Sequence, residues 1–235
     1  MTTDTPRAAA PIAILGMHRS GTSCLAGCLQ EAGLYLGDVN TAAPANARGN
    51  RENRAIMDLH DMVLRDNGGS WDMPPAAPKW SAEQRQQREA LIGGFPRHEV
   101  WGFKDPRSLL VLDGWRESLP ALRFIGTFRH PAAVAASLRT RNGFTMERGY
   151  EIWREYNTRL LRYQRELGFA LLSFDWEPER YRLALEANAA RLGLKAPQNG
   201  FEFFAGSLRS HRASAADGLG AKDIALYAQL QEIAE

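Results

Sequence analysis

Cysteine is scarce. The chain has two, Cys24 and Cys28, in 235 residues. Four apart on a predicted helix, they share a face but supply no disulfide framework, and they read as small core residues. Long apolar runs are missing as well: none approaches the ~20 residues of a membrane span. The N-terminus, MTTDTPRAAAP, lacks the apolar core of a signal peptide, so a cytoplasmic protein is expected. Charge of one sign is not in excess. The 29 Lys plus Arg stand against 27 Asp plus Glu, a net charge of +2. That removes a general polyanion binder, nucleic-acid binders included, as the default and leaves room for a local anion pocket. No His/Cys/Asp cluster has metal-ligand spacing, and no internal repeat or linker breaks the chain. What is present is an ordinary globular balance, 44% hydrophobic and 24% charged. It fits one α/β domain over residues 11–235 behind a disordered lead-in over 1–10.

The chain is organised around residues 11–32. Pro11-Ile-Ala-Ile-Leu15 is a short apolar run with β-branched residues and reads as a buried strand of a parallel sheet. Gly16-Met-His-Arg-Ser-Gly-Thr-Ser23 follows, and then apolar residues at helical spacing up to Ala32. Strand, Gly-bounded loop and helix N-terminus together make an anion cradle of converging backbone N–H groups, with the helix dipole behind them. The Gly16-x4-Gly21 spacing is that of the nucleoside-triphosphate P-loop, but Thr22 stands where that motif requires Lys. The cation is instead Arg19, inside the loop beside His18. This suits a diphosphate-like group or a 5′-phosphosulfate held without a metal. The bland alternative for this stretch is a Gly-rich turn with no ligand.

Downstream, residues 37–53 read as a long loop. A helix starts near Glu52, with Ile56, Leu59, His60, Val63 and Leu64 at 3–4 spacing. Glu52 is a first-turn acid or a base over the loop. His60 is a second candidate base, and packing is its commoner role. Trp71, Met73 and Trp80 line an acceptor cleft or form a hydrophobic cluster. Glu99–Phe103 is a strand that delivers Lys104-Asp-Pro-Arg107 at its C-terminal end, where open α/β sheets bind ligands. Arg107 binds cofactor or acceptor, or pairs with an acidic loop. Ser108–Leu119 is a helix. Arg123–Phe128 is a strand ending in Arg129-His-Pro131, and Ala132–Leu138 is the helix after it. Arg139, Arg141 and Arg148 fall in a loop bordering the site, where Arg141 meets an anionic acceptor or the cofactor. Helices over 150–167, 178–192 and 221–233 and a strand over 169–175 complete the pattern.

Residues 14–23, ILGMHRSGTS, resemble the 5′-phosphosulfate loop of sulfotransferases that use 3′-phosphoadenosine-5′-phosphosulfate (PAPS). The resemblance extends from about Ile12 to Arg212, with RSGTS, KDPR and R-x7-S in order. It implies a P-loop-like α/β fold, a mostly parallel sheet flanked by helices. It also implies transfer of a sulfuryl group from PAPS to a hydroxyl or amine of a small-molecule or glycan acceptor, carbohydrates included, with release of 3′-phosphoadenosine-5′-phosphate (PAP) and no metal. On that resemblance His18, Arg19, Ser20, Gly21, Thr22 and Ser23 hold the phosphosulfate. Arg129 and Ser137 hold the 3′-phosphate, and a basic C-terminal cluster, Arg209 and Arg212, closes over it. Lys104 and Arg19 balance charge in transfer, and Glu52, in a G-x-x-E element from Gly49, is the base. Trp71, Arg107 and Arg141 fall to the acceptor. The chain lacks the membrane anchor of animal Golgi relatives and reads as a bacterial-type form. It also lacks the histidine that serves small-phenol sulfotransferases at the second strand end, where Lys104 and Asp105 stand instead. Two alternatives stay open: a P-loop kinase or NTPase, and a nucleotide-binding relative without activity.

Overall fold

The computed structural model describes residues 10–43, 48–96, 99–204 and 218–235. Four short apolar strands pair in parallel: β1 (Ile12–Leu15), β2 (Gly102–Lys104), β3 (Arg123–Phe128) and β4 (Ala170–Ser173), in the order β2-β1-β3-β4. The register sets Ile14 beside Lys104, Leu15 beside Gly126 and Phe128 beside Ser173. All four β1 residues are buried, as a parallel sheet covered on both faces requires. Strand alternation divides them. Ile12 and Ile14 pack with Leu25 and Leu29 of α1 (Thr22–Glu31) and with Tyr181 and Leu185 of α7 (Pro178–Arg191). Ala13 and Leu15 face the larger core. That core is built from α2 (Arg54–Asp66), α4 (Ser108–Ser118), α6 (Met146–Leu167) and α8 (Ala221–Glu232). Two further helices, α3 (Ala82–Gly93) and α5 (Pro131–Asn142), complete the set among the described residues. The fold is thus the expected parallel α/β sheet flanked by helices.

Two boundaries differ from the sequence expectation. Only Gly102–Lys104 of the second strand joins the ladder; Val100 instead accepts a hydrogen bond from Tyr35 N, and Trp101 bridges to Tyr35. The loop expected around Arg139, Arg141 and Arg148 shrinks to three residues. Gly143 (φ 73°) closes α5, and Thr145 accepts a hydrogen bond from Arg148 N to open α6. A C-cap glycine and an N-cap threonine this close together extend both helices. Arg139 and Arg141 therefore sit in the last turn of α5, and Arg148 in the first turn of α6.

Candidate active site

The loop between β1 and α1 lies at the C-terminal edge of the sheet. Two of its glycines are required by space. A Cβ on Gly16 would lie 2.5 Å from Thr127 O, and one on Gly21 (φ 87°) would lie 2.4 Å from the Phe174 ring. Between them Arg19 adopts φ 65°, a left-handed conformation that an L-residue pays to hold. Neighbouring side chains of the turn take different partners. His18 packs edge-on against Trp71 (4.7 Å between ring centroids) and Tyr156 (5.9 Å). Arg19 Nε reaches α5 and donates to Ser137 Oγ at 2.7 Å. Ser20 is fully buried beneath the loop, its Oγ without a hydrogen-bond partner among the described residues. Thr127 Oγ1 holds Ser20 O from below. The first turn of α1 carries no capping side chain and no acid, so its N–H groups and dipole favour an anion.

A polar cavity of about 280 Å³ opens beside this loop. His18, Arg19, Thr22 and Ser23 line it from the loop, Glu52 and Met57 from the α2 side, and Lys104, Arg107, Trp71 and Arg141 from elsewhere. At its base Lys104 Nζ donates to Glu52 Oε1 at 2.6 Å and to Ser23 Oγ at 3.3 Å. Both charged residues are buried. Burial pulls the Lys104 ammonium below its ordinary pKa, and the Glu52 carboxylate opposes that pull. Glu52 is positioned by Asn40, whose backbone N donates to Glu52 O and whose side-chain Oδ1 accepts from Glu52 N, and it stands just before Asn53, whose side chain caps α2 through Ala55 N and Ile56 N. The carboxylate thus comes from a loop-to-helix junction.

Beneath the cavity lies a network the sequence did not announce. Trp115 Nε1 donates to His60 Nε2 at 2.7 Å. An indole N–H only donates, so Nε2 is the accepting nitrogen of a neutral imidazole, and Nδ1–H donates to Asp105 Oδ2 at 2.7 Å. The other Asp105 oxygen accepts from Arg107 N and from the Arg107 guanidinium, and Arg107 also pairs with Asp61 at 2.6 Å. Burial alone would raise the Asp105 pKa. The Arg107 charge and the His60 hydrogen bond outweigh it and hold the carboxyl well below the usual range. His60, with no exposed surface and both nitrogens engaged, cannot serve as a base. Its place on the apolar face of α2 beside Leu59 and Val63 was the sequence signal for that. Trp80 likewise belongs to the core, donating to Val111 O, and Met73 lies exposed outside this cavity.

The structure places Arg129 where β3 ends. Its guanidinium carbon lies 5.5 Å from the Phe174 ring centre, and its Nε lies 3.8 Å from Asp175 Oδ1. Asp175 Oδ2 accepts from His130 N at 2.6 Å and from Tyr227 OH of α8 at 3.1 Å. Asp175 and Tyr227 escaped sequence reasoning because their partners lie 45 and 52 residues apart along the chain. Arg129 and Ser137 do not line the cavity themselves, and Arg19 links it to Ser137. Trp71 lines the cavity with the Arg141 guanidinium 5.2 Å from its ring centre and Phe144 stacked at 6.0 Å. Arg209 and Arg212 lie outside the described residues. Among the described residues no group of His, Cys, Asp and Glu could hold a metal ion, and no helix is long and apolar enough to cross a membrane.

The fold is a parallel α/β sheet with a glycine-bounded loop at its C-terminal edge and a buried Lys–Glu pair alongside. The chain belongs to the Sulfotransferase family, whose profile matches residues 11–176, and it is a sulfotransferase-family enzyme. The sulfotransferase domain of the Synechococcus PCC 7002 olefin synthase shares the fold at a TM-score of 0.60 and 18% identity, with 96% of each chain covered. Sulfotransferase STF1 of Mycobacterium tuberculosis H37Rv is similar at a TM-score of 0.45 and 16% identity, over 95% of this chain and 77% of that one. No curated protein matches the sequence.

Proposed function

We propose that this enzyme transfers a sulfuryl group from PAPS to a hydroxyl or amine of a small-molecule or glycan acceptor. Members of the family generally use PAPS as donor. The observation that carries the reading is the buried Lys104–Glu52 pair, 2.6 Å apart, in the same cavity as the Gly16–Gly21 loop. The residues fit the donor. Gly16 and Gly21 let the loop pack directly against Thr127 and Phe174 where a Cβ would clash, and the acid-free start of α1 faces an anion favourably. The donor, when bound, supplies a sulfuryl group already activated by its phosphate leaving group.

The chain's own residues do the rest. The loop N–H groups, Arg19, Thr22 and Ser23 hold the phosphosulfate, with Arg129 and Ser137 on the 3′-phosphate to set its position. Lys104 places its charge where negative charge develops as the donor's S–O bond to phosphate breaks. Glu52 takes the acceptor proton as the new O–S or N–S bond forms. Arg107, Arg141 and Trp71 frame the acceptor side. The test is metal-free calorimetric titration with PAP on the wild type and on Arg129→Ala, with ATP–magnesium as control. Binding of PAP that weakens about tenfold or more in the variant is expected, since one guanidinium–phosphate pair contributes more than ~1.4 kcal/mol. No PAP binding, or a preference for ATP–magnesium, refutes the reading.

A further inference from the structure

His18 and Arg19 are neighbours in the loop, yet the structure separates their side chains. The left-handed turn at Arg19 sends its guanidinium to Ser137 on α5, whereas the His18 ring goes to Trp71 and Tyr156. Those two aromatics hold each other, since Tyr156 OH donates to Trp71 O at 2.9 Å. The ring is therefore wedged beside the cavity that His18, Glu52 and Lys104 all line. His18 Nε2 is buried and has no hydrogen-bond partner among the described residues. A buried polar atom without a partner is uncommon in a native fold and points to a group supplied from outside the chain. Burial, and after it the Arg107 and Arg141 charges, push the ring well below the ordinary histidine pKa, so the imidazole is neutral. Nε2 of a neutral imidazole either accepts from a hydroxyl or donates to its oxygen, according to the tautomer.

We propose that His18 is an acceptor-binding residue, whose neutral ring hydrogen-bonds the acceptor hydroxyl beside Glu52, rather than a ligand of the donor. This rests on the sulfotransferase reading above. His18 orients the nucleophile. The proton still leaves to Glu52, and the sulfuryl group still passes from the donor's phosphate oxygen to the acceptor oxygen.

Two variants test it. His18→Phe keeps the ring contacts with Trp71 and Tyr156 and removes both nitrogens. His18→Gln keeps a hydrogen-bonding group at about the reach of Nε2. PAP affinity is measured by metal-free calorimetry, and PAPS consumption is followed with water, glycerol and p-nitrophenol as acceptors. Thermal melting checks the fold of each variant. Both variants are expected to hold PAP within about threefold of wild type. PAPS consumption falls about tenfold or more in His18→Phe, with His18→Gln retaining more than His18→Phe. A loss of PAP affinity of about tenfold or more in a folded His18→Gln makes His18 a donor ligand and overturns the proposal. So does wild-type consumption in His18→Phe. Failure of the wild type to bind PAP at all refutes the sulfotransferase reading itself.

Discussion

Asp105→Asn removes one charge from a fully buried carboxylate and leaves its shape intact. In the wild type that carboxylate accepts from His60 Nδ1, from Arg107 N and from the Arg107 guanidinium. The amide cannot satisfy all three, because one of its ends donates. It also leaves the Arg107 guanidinium, itself largely buried, with Asp61 as its remaining carboxylate. Removing one partner of a buried pair costs about 3–5 kcal/mol. The surviving Asp61 pair places this case at the lower end, about 3 kcal/mol. For a domain of this size that is a fall in Tm of about 6–12 °C. The pH dependence has a definite sign. The folded pKa of Asp105 is depressed, chiefly because the Arg107 charge outweighs burial. Its contribution is therefore present above the unfolded value of about 3.9 and is lost as pH falls through the folded value. Thermal melts of wild type and variant at pH 7 and pH 4.5 should show the same gap, and the gap should narrow only below about pH 3.9. A loss under about 1 kcal/mol at pH 7, or a gap that closes between about pH 6 and 5, refutes the account of a saturated buried carboxylate.

Other outcomes follow from the same contacts. Glu52→Gln should lower kcat by about 10²–10⁴-fold and leave PAP affinity nearly unchanged, as read by PAPS turnover against calorimetry. Lys104→Ala leaves Glu52 buried without its cation and should cost about 3–5 kcal/mol in urea unfolding, in addition to activity. Gly21→Ala forces a side chain into φ 87° and into the Phe174 ring; a loss of about 1–3 kcal/mol should accompany weakened PAP binding. Asn53→Ala frees Ala55 N and Ile56 N at the start of α2 and should cost about 1 kcal/mol, measurable by denaturant titration.

The parts of this protein legible in its sequence are those written within short contiguous stretches. The run Pro11–Leu15, the glycines at 16 and 21 and the helical spacing after them predict strand, loop and helix, because backbone sterics and side-chain periodicity act over a few residues. The strand ends at Lys104 and Arg129 were legible for the same reason: a strand that stops before a proline-containing turn must deliver its last side chains to the sheet edge. Helix caps were less so. Gly143 and Thr145 look like loop residues until their role in ending α5 and opening α6 is seen.

The remainder depends on residues far apart in the chain. Whether Glu52 meets Lys104 is settled by how the segment before α2 packs against β2, and no local spacing encodes it. His60 reads as a candidate base by type alone; only the arrival of Trp115 from α4 and Asp105 from the β2 edge makes it a buried, doubly bonded strut. His18 and Arg19 look like one cationic pair in the sequence, yet around a left-handed residue they take different partners, His18 on Trp71 and Tyr156 and Arg19 on Ser137. Local backbone preference writes the elements. Which charges meet, and which nitrogen is buried without a hydrogen-bond partner, emerges from long-range packing, because burial and Coulomb energy depend on distances that exist once the chain has folded.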